Sequence, residues 1–129
     1  MLSKEQIQEF KRLLEERRNA LLVEIRQELL NSDNEQYVAL AGQVHDLEEQ
    51  SVADLLVDIN LAVIDRHIIQ LRDVEEALQR IAQGTYGRCI DSGEPIPIER
   101  LKAMPTAKRT EQAQERYEQS HAGAEHARL

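Results

Sequence analysis

Four positions near the C-terminus fall at the spacing of a paired-knuckle metal site. Cys89 and Ser92 are separated by two residues, seventeen residues follow, and Thr110 and Ala113 repeat the first interval. Two CxxC pairs at this separation would read as a structural zinc site. Here the slots hold one thiol, two hydroxyls and a methyl group, and zinc is bound by thiolate, imidazole or carboxylate. His121 and His126 lie beyond the spacing, and His45 and His67 lie far before it. The expectation is a degenerate ribbon with no metal and no other cofactor. Cys89 is then either a packing residue or a redox-responsive thiol beside Arg88, whose charge would lower its pKa. No Cys/His pair, Ser/His/Asp order or phosphate-cradling glycine loop supports catalysis, so the chain does not read as an enzyme.

The other residue set with chemical potential is acidic. The 129 residues carry a formal charge of -8, and it is unevenly spread. No Lys or Arg occurs between Arg26 and Arg66, while Glu28, Asp33, Glu35, Asp46, Glu48, Glu49, Asp54, Asp58 and Asp65 all fall there. From Arg80 to Arg109 the sign reverses, six basic residues against Asp91, Glu94 and Glu99. Phosphate affinity comes from Lys and Arg releasing counterions, so general nucleic-acid binding is disfavoured. The acidic stretch suits cations or basic side chains instead.

Helices must position both sets. Ser3 with Gln6 reads as a capping box. Ile7, Phe10, Leu14, Leu21, Ile25 and Leu29 then recur at helical spacing, predicting a helix over about 4–31. Asn31, Ser32, Asp33 and Asn34 form a polar cluster that can end or fray it, Tyr37 to Leu40 can carry helix further, and Gly42 is the expected point of reversal. Ser51 and Asp54 give a second N-cap signal, and an apolar stripe runs from Val52 to Ile81 until Gly84 stops it. Two such stripes bury each other most economically as an antiparallel hairpin. Its turn, around 40–51, is acidic. Pro95 and Pro97 forbid regular helix in the ribbon, a short turn of helix fits Ile98 to Lys102, and Thr106 can cap a last helix over about 107–121. Residues 122–129 read as a flexible tail. The fold expected is mainly α: a long coiled-coil hairpin over 1–84, and a small ribbon-like module with a C-terminal helix over 85–121. In the absence of metal, Tyr86, Ile90, Ile96, Ile98, Leu101, Met104 and Tyr117 are the groups available to hold the ribbon. The first thirty residues carry charges throughout, and one cysteine excludes an internal disulfide, which points to the cytoplasm.

The run GTYGRCIDSGEPIPIERLKAMPTAKR resembles the finger segment of the DksA/TraR family, whose recurring pattern is YGxCxxCGxxIPxxRLxAxPxAxxCxxC. SKEQIQEFKRLLEERRNALLVEI resembles the start of that family's first coiled-coil helix. Nearly every non-cysteine element of the finger pattern is present.

The resemblance implies a regulator that binds bacterial RNA polymerase, probing its secondary channel with the coiled coil, without sequence-specific DNA binding and acting as a monomer away from membranes. The family's tip motif, DxxDxA, falls on Asp46 to Ser51, so Asp46 is kept, Glu49 keeps the charge and Ser51 replaces a small apolar residue. Asp54 and Asp58 are neighbouring carboxylates that read best as a solvated face. Arg100 and Lys102 are candidates for polymerase docking. The family's slots for the alarmone ppGpp hold Asp73, Met104 and Gln114, none of which is a cation, so coupling to ppGpp is expected to be weak or lost. Two other readings remain: a hairpin interaction protein with a different partner, and a thiol-based regulator acting through Cys89.

Overall fold

The computed structural model describes residues 2–46, 52–56 and 62–128. Six helices follow in order: α1 (Lys4–Leu30), α2 (Glu35–Asp46), α3 (Val52–Leu55), α4 (Ala62–Gln83), α5 (Ile98–Ala103) and α6 (Glu111–Arg128). No strand occurs among the described residues, only an isolated antiparallel bridge between Arg88 and Pro95. The mainly helical hairpin with a small C-terminal module and a final helix agrees with the sequence. No described helix is long and apolar enough to cross a membrane.

α1 begins where the capping box places it. Ser3 Oγ accepts the Gln6 N–H at 3.1 Å, and Gln6 Oε1 accepts the Ser3 N–H at 2.8 Å. Its apolar seam buries Phe10, Leu14, Leu21, Ile25 and Leu29. α4 presents Ile64, Ile68, Leu71, Val74 and Ala77 in return. Three cross-contacts fix the antiparallel sense. The Phe10 and Tyr86 rings lie 5.7 Å apart, Arg18 Nε is 3.6 Å from Glu75 Oε2, and His67 is 3.1 Å from both Glu24 and Glu28. α4 ends in a Schellman arrangement, Gly84 N–H to Ile81 O and Thr85 N–H to Arg80 O, with Gly84 at φ +78°.

α1 ends at the polar cluster as expected, and it is the route from there to α4 that differs from the sequence expectation. The chain breaks at 31–34, where Ser32 Oγ accepts the Asn34 N–H and Asn34 Oδ1 accepts the Gln36 N–H at 2.8 Å. Asn34 thereby caps α2, which packs against α1 and buries Ala41 and Val44. Gly42 lies within α2 and makes no reversal. The stripe from Val52 to Ile81 is likewise not one helix. The N–H groups of Val52 and Ala53 donate to the Glu75 carboxylate at 3.1 and 3.0 Å. Twenty-odd residues of unbroken helix would hold these groups about 35 Å apart. α3 instead sits on the middle of α4, its first orphan amides satisfied by a carboxylate from another helix. Val52, Ala53 and Leu56 join the core there.

Candidate functional site

The module after Gly84 is built from two loops that face each other. In the first, Cys89 N–H donates to Glu94 O at 2.8 Å, Gly93 N–H returns to Cys89 O at 2.9 Å, and Gly93 adopts φ +74°. This is the tight knuckle that a CxxC pair requires. In the second, Thr110 Oγ1 accepts the Ala113 N–H at 3.2 Å, so Thr110 caps α6. The sequence pointed to Thr106 as that cap. Thr106 instead gives its backbone oxygen to Arg80 Nη2 at 3.4 Å. α6 also continues to Arg128, through the segment expected to be a tail.

The four ligand slots are thus formed by the two knuckles, but their contents do not suit zinc. Cys89, Thr110 and Ala113 are buried, and Ser92 is exposed. Ser92 Oγ accepts the Glu94 N–H at 3.3 Å, and Ala113 offers only a methyl group. One thiol and two neutral hydroxyls already engaged with backbone amides cannot replace four anionic or imidazole donors. Among the described residues no group of three or more His, Cys, Asp or Glu could hold a metal.

Other interactions tie the knuckles together. Ile90 N–H donates to Lys108 O at 2.9 Å. Arg109, only 8% exposed, crosses between the loops and donates from Nε to Asp91 Oδ2 at 2.7 Å. Its guanidinium also lies 3.9 Å from the Tyr117 ring centroid. Apolar burial comes from Tyr86, Ile96, Leu101, Ala107 and Ala113, with Ile98 partly covered. Ile90 and Met104, expected to help, are half exposed. Tyr86 donates its hydroxyl to Pro105 O at 2.7 Å, and burial pushes its pKa up to about 12, so the phenol stays a donor. Gly87, at φ +87°, is pressed by Leu2; a Cβ there would lie 2.9 Å from Leu2 Cδ1. That contact locks the module onto the start of α1.

Cys89 keeps a feature of a metal-ligand cysteine. Burial raises its pKa, but hydrogen bonds from the Ser92 hydroxyl and from the backbone of Ser92, Thr110 and Asp91 outweigh it, leaving the thiol at about 7. A folded-state pKa depressed from 9 contributes stability above pH 9 that is lost as pH falls through 7, roughly 2 to 3 kcal/mol in all. Thermal melts of the protein and of Cys89→Ser should therefore diverge as pH rises from 6 to 9. Parallel melting curves would mean that the thiolate is not held.

The remaining sequence candidates are scattered. Arg100 donates from Nε to Arg109 O at 2.9 Å and so braces the second knuckle, whereas Lys102 is exposed beside Glu99. Asp73 is exposed, and partial desolvation raises its pKa against the pull of Lys108. Lys108 Nζ also lies 3.5 Å from Glu76. Met104 is exposed, and Gln114 Nε2 donates to Glu118 at 3.2 Å. Asp46 closes α2, and its side chain lies outside the described residues, as do those of His45, Asp54 and His126. Glu49, Ser51 and Asp58 also lie outside them. Sequence reading missed Glu75, Arg109 and Asp91 as organising residues. The Asp91/Arg109 pair was visible as opposite charges beside two ligand slots.

Comparison with known proteins places this geometry. The family model described as prokaryotic dksA/traR C4-type zinc finger matches residues 84–119. The RNA polymerase-binding transcription factor DksA of Caulobacter vibrioides is 37% identical over 73 residues, 57% of this chain and 51% of that protein. General stress protein 16O of Bacillus subtilis is 43% identical over 63 residues, 49% of this chain and 37% of that one. The chain thus spans about half the length, or less, of these relatives in the matched stretch. The solved structure of transcription factor DksA2 from Pseudomonas aeruginosa superposes with a TM-score of 0.62 at 28% identity, covering 93% of this chain and 88% of that one. The finger pattern, the hairpin and the paired knuckles agree in one respect: residues 84–119 match the dksA/traR finger, and the chain as a whole is similar to proteins of the DksA/TraR family.

Proposed function

We propose that this protein is a non-enzymatic transcription regulator that binds bacterial RNA polymerase in the cytoplasm, as a monomer and without reading DNA sequence. The observation that carries this reading is the superposition of 93% of the chain on a DksA2 structure, hairpin and finger module together. In this reading the acidic stretch enters the polymerase secondary channel, where Asp46 and Glu49 approach the catalytic centre and alter initiation. Lys102 is the exposed docking cation. Arg100 contributes by holding the Arg109 backbone. Asp73, Met104 and Gln114 offer no cation to ppGpp, and Lys108 nearby is engaged by Glu76, so the alarmone adds little.

Pull-down of polymerase, followed by displacement with a known secondary-channel factor, tests the partner and the entry route. Retention on polymerase with no competition would favour a different docking surface. Transcription from a ribosomal promoter is expected to change to the same extent with and without ppGpp. Strong synergy would overturn the proposed uncoupling. One observation favours the second reading, a hairpin protein with another partner: α2 folds back onto α1, so the acidic stretch begins on a packed helix.

A further inference from the structure

Beside the knuckles lies an open cavity of about 600 Å3, lined by Asp91, Ser92, Arg109, Arg116, Tyr117 and His121 among others. None of Asp73, Met104 and Gln114 lines it. Arg109 is more than nine-tenths buried, yet only its Nε finds a protein acceptor. Its two Nη groups donate to no acceptor among the described residues. No fully sealed side-chain nitrogen there lacks a partner, so these groups open onto the cavity they line. A guanidinium held by Nε with its fork turned to an open cavity offers two oriented donors that an oxyanion can take from water.

The surroundings define the acceptor. Arg116 reaches the same cavity, and among the described residues only its Nε is bonded, to Gln112 O at 3.4 Å. His121 stacks on Tyr117 at 4.1 Å and gives Nδ1 to the Tyr117 carbonyl at 2.9 Å, which orients the ring. Among the described residues Asp91 is the one lining carboxylate, and it is already matched by Arg109. Two guanidiniums against one carboxylate leave an excess of positive charge and fork-shaped donors, the arrangement that recognises tetrahedral oxyanions. The volume exceeds what a bare phosphate needs and falls within the range of small-molecule sites. We propose that this cavity binds a phosphate monoester, with Arg109 and Arg116 as the phosphate clamp and His121 at the rim.

The test is a titration of the full chain with inorganic phosphate and with ribose 5-phosphate, following the arginine side-chain N–H resonances, beside sodium chloride at matched ionic strength. Saturable shifts of Arg109 and Arg116 with both phosphates, tighter with the ester, are expected. Arg116→Gln, which removes no structural contact beyond one to the Gln112 backbone, should weaken binding about tenfold. Arg109→Lys, which keeps a cation for Asp91 but lacks the fork, should weaken it as well. Shifts reproduced by sodium chloride, or affinity unchanged in Arg116→Gln, would overturn the proposal. Equal affinity for the two phosphates would overturn the ester assignment.

Discussion

Asp91→Ala is expected to lower the melting temperature of the protein by about 5 to 10 °C, while a chelator leaves it unchanged. The two halves of this prediction share one cause. Arg109 is a buried cation whose only carboxylate partner among the described residues is Asp91 at 2.7 Å, and removing that partner leaves the guanidinium with an aromatic face and the cavity. Breaking a fully buried pair costs several kcal/mol, but the Asp91 side chain is 47% exposed, so screening brings the expected loss to about 2 kcal/mol. For a chain of this size that corresponds to the stated shift. The chelator arm follows from the donor set: Cys89, Ser92, Thr110 and Ala113 leave nothing for it to extract. A melting temperature that falls on chelation, or an Asp91→Ala protein that melts like the parent, would remove the ion pair from its place as the strap between the knuckles.

Asp46→Asn combined with Glu49→Gln is expected to reduce the transcriptional effect to the level of polymerase alone while polymerase binding persists. Both changes conserve shape and remove only charge, from a segment with no basic residue between Arg26 and Arg66. If carboxylates act on cations near the polymerase centre, the amides cannot substitute for them. Carboxylates that act inside the polymerase channel, as proposed, face water in the free protein, and such substitutions shift stability by no more than about 0.5 kcal/mol, so the melt should not move. In vitro transcription at a sensitive promoter, with a binding assay alongside, separates the outcomes. Full activity in the double variant would assign the effect to other residues. Loss of binding and activity together would place these carboxylates in docking.

Where the sequence anticipated structure, the determinant was local. The Ser3/Gln6 box, the Gly84 stop and the Ile98–Ala103 helix after Pro97 each depend on a few adjacent residues, and each forms as expected. The paired knuckles were legible because spacing alone sets them. The path between α1 and α4 was not, since it depends on Glu75 capturing amides more than twenty residues earlier. Periodicity cannot report that contact, because a broken stripe and a continuous one read alike. The sequence pointed to Thr106 as the cap of α6, and the cap is Thr110. The cap is Thr110 because Tyr86 holds Pro105 and Arg80 holds Thr106 in a turn, which keeps the chain out of helix until the second knuckle closes. At the candidate cavity, the residues are spread over Asp91 to His121 and share no motif.

The strap between the knuckles changes how the module's stability responds to its surroundings. A domain closed by a bound ion gains free energy in proportion to the logarithm of the free ion concentration, so its folded fraction follows the supply of that ion. The bond from Arg109 to Asp91 is between residues of one chain, and its effective concentration is fixed by the fold. A base closed by that bond in place of four metal ligands has no mass-action dependence on metal in its folding equilibrium, and the hairpin above it then rests on a support whose occupancy does not vary.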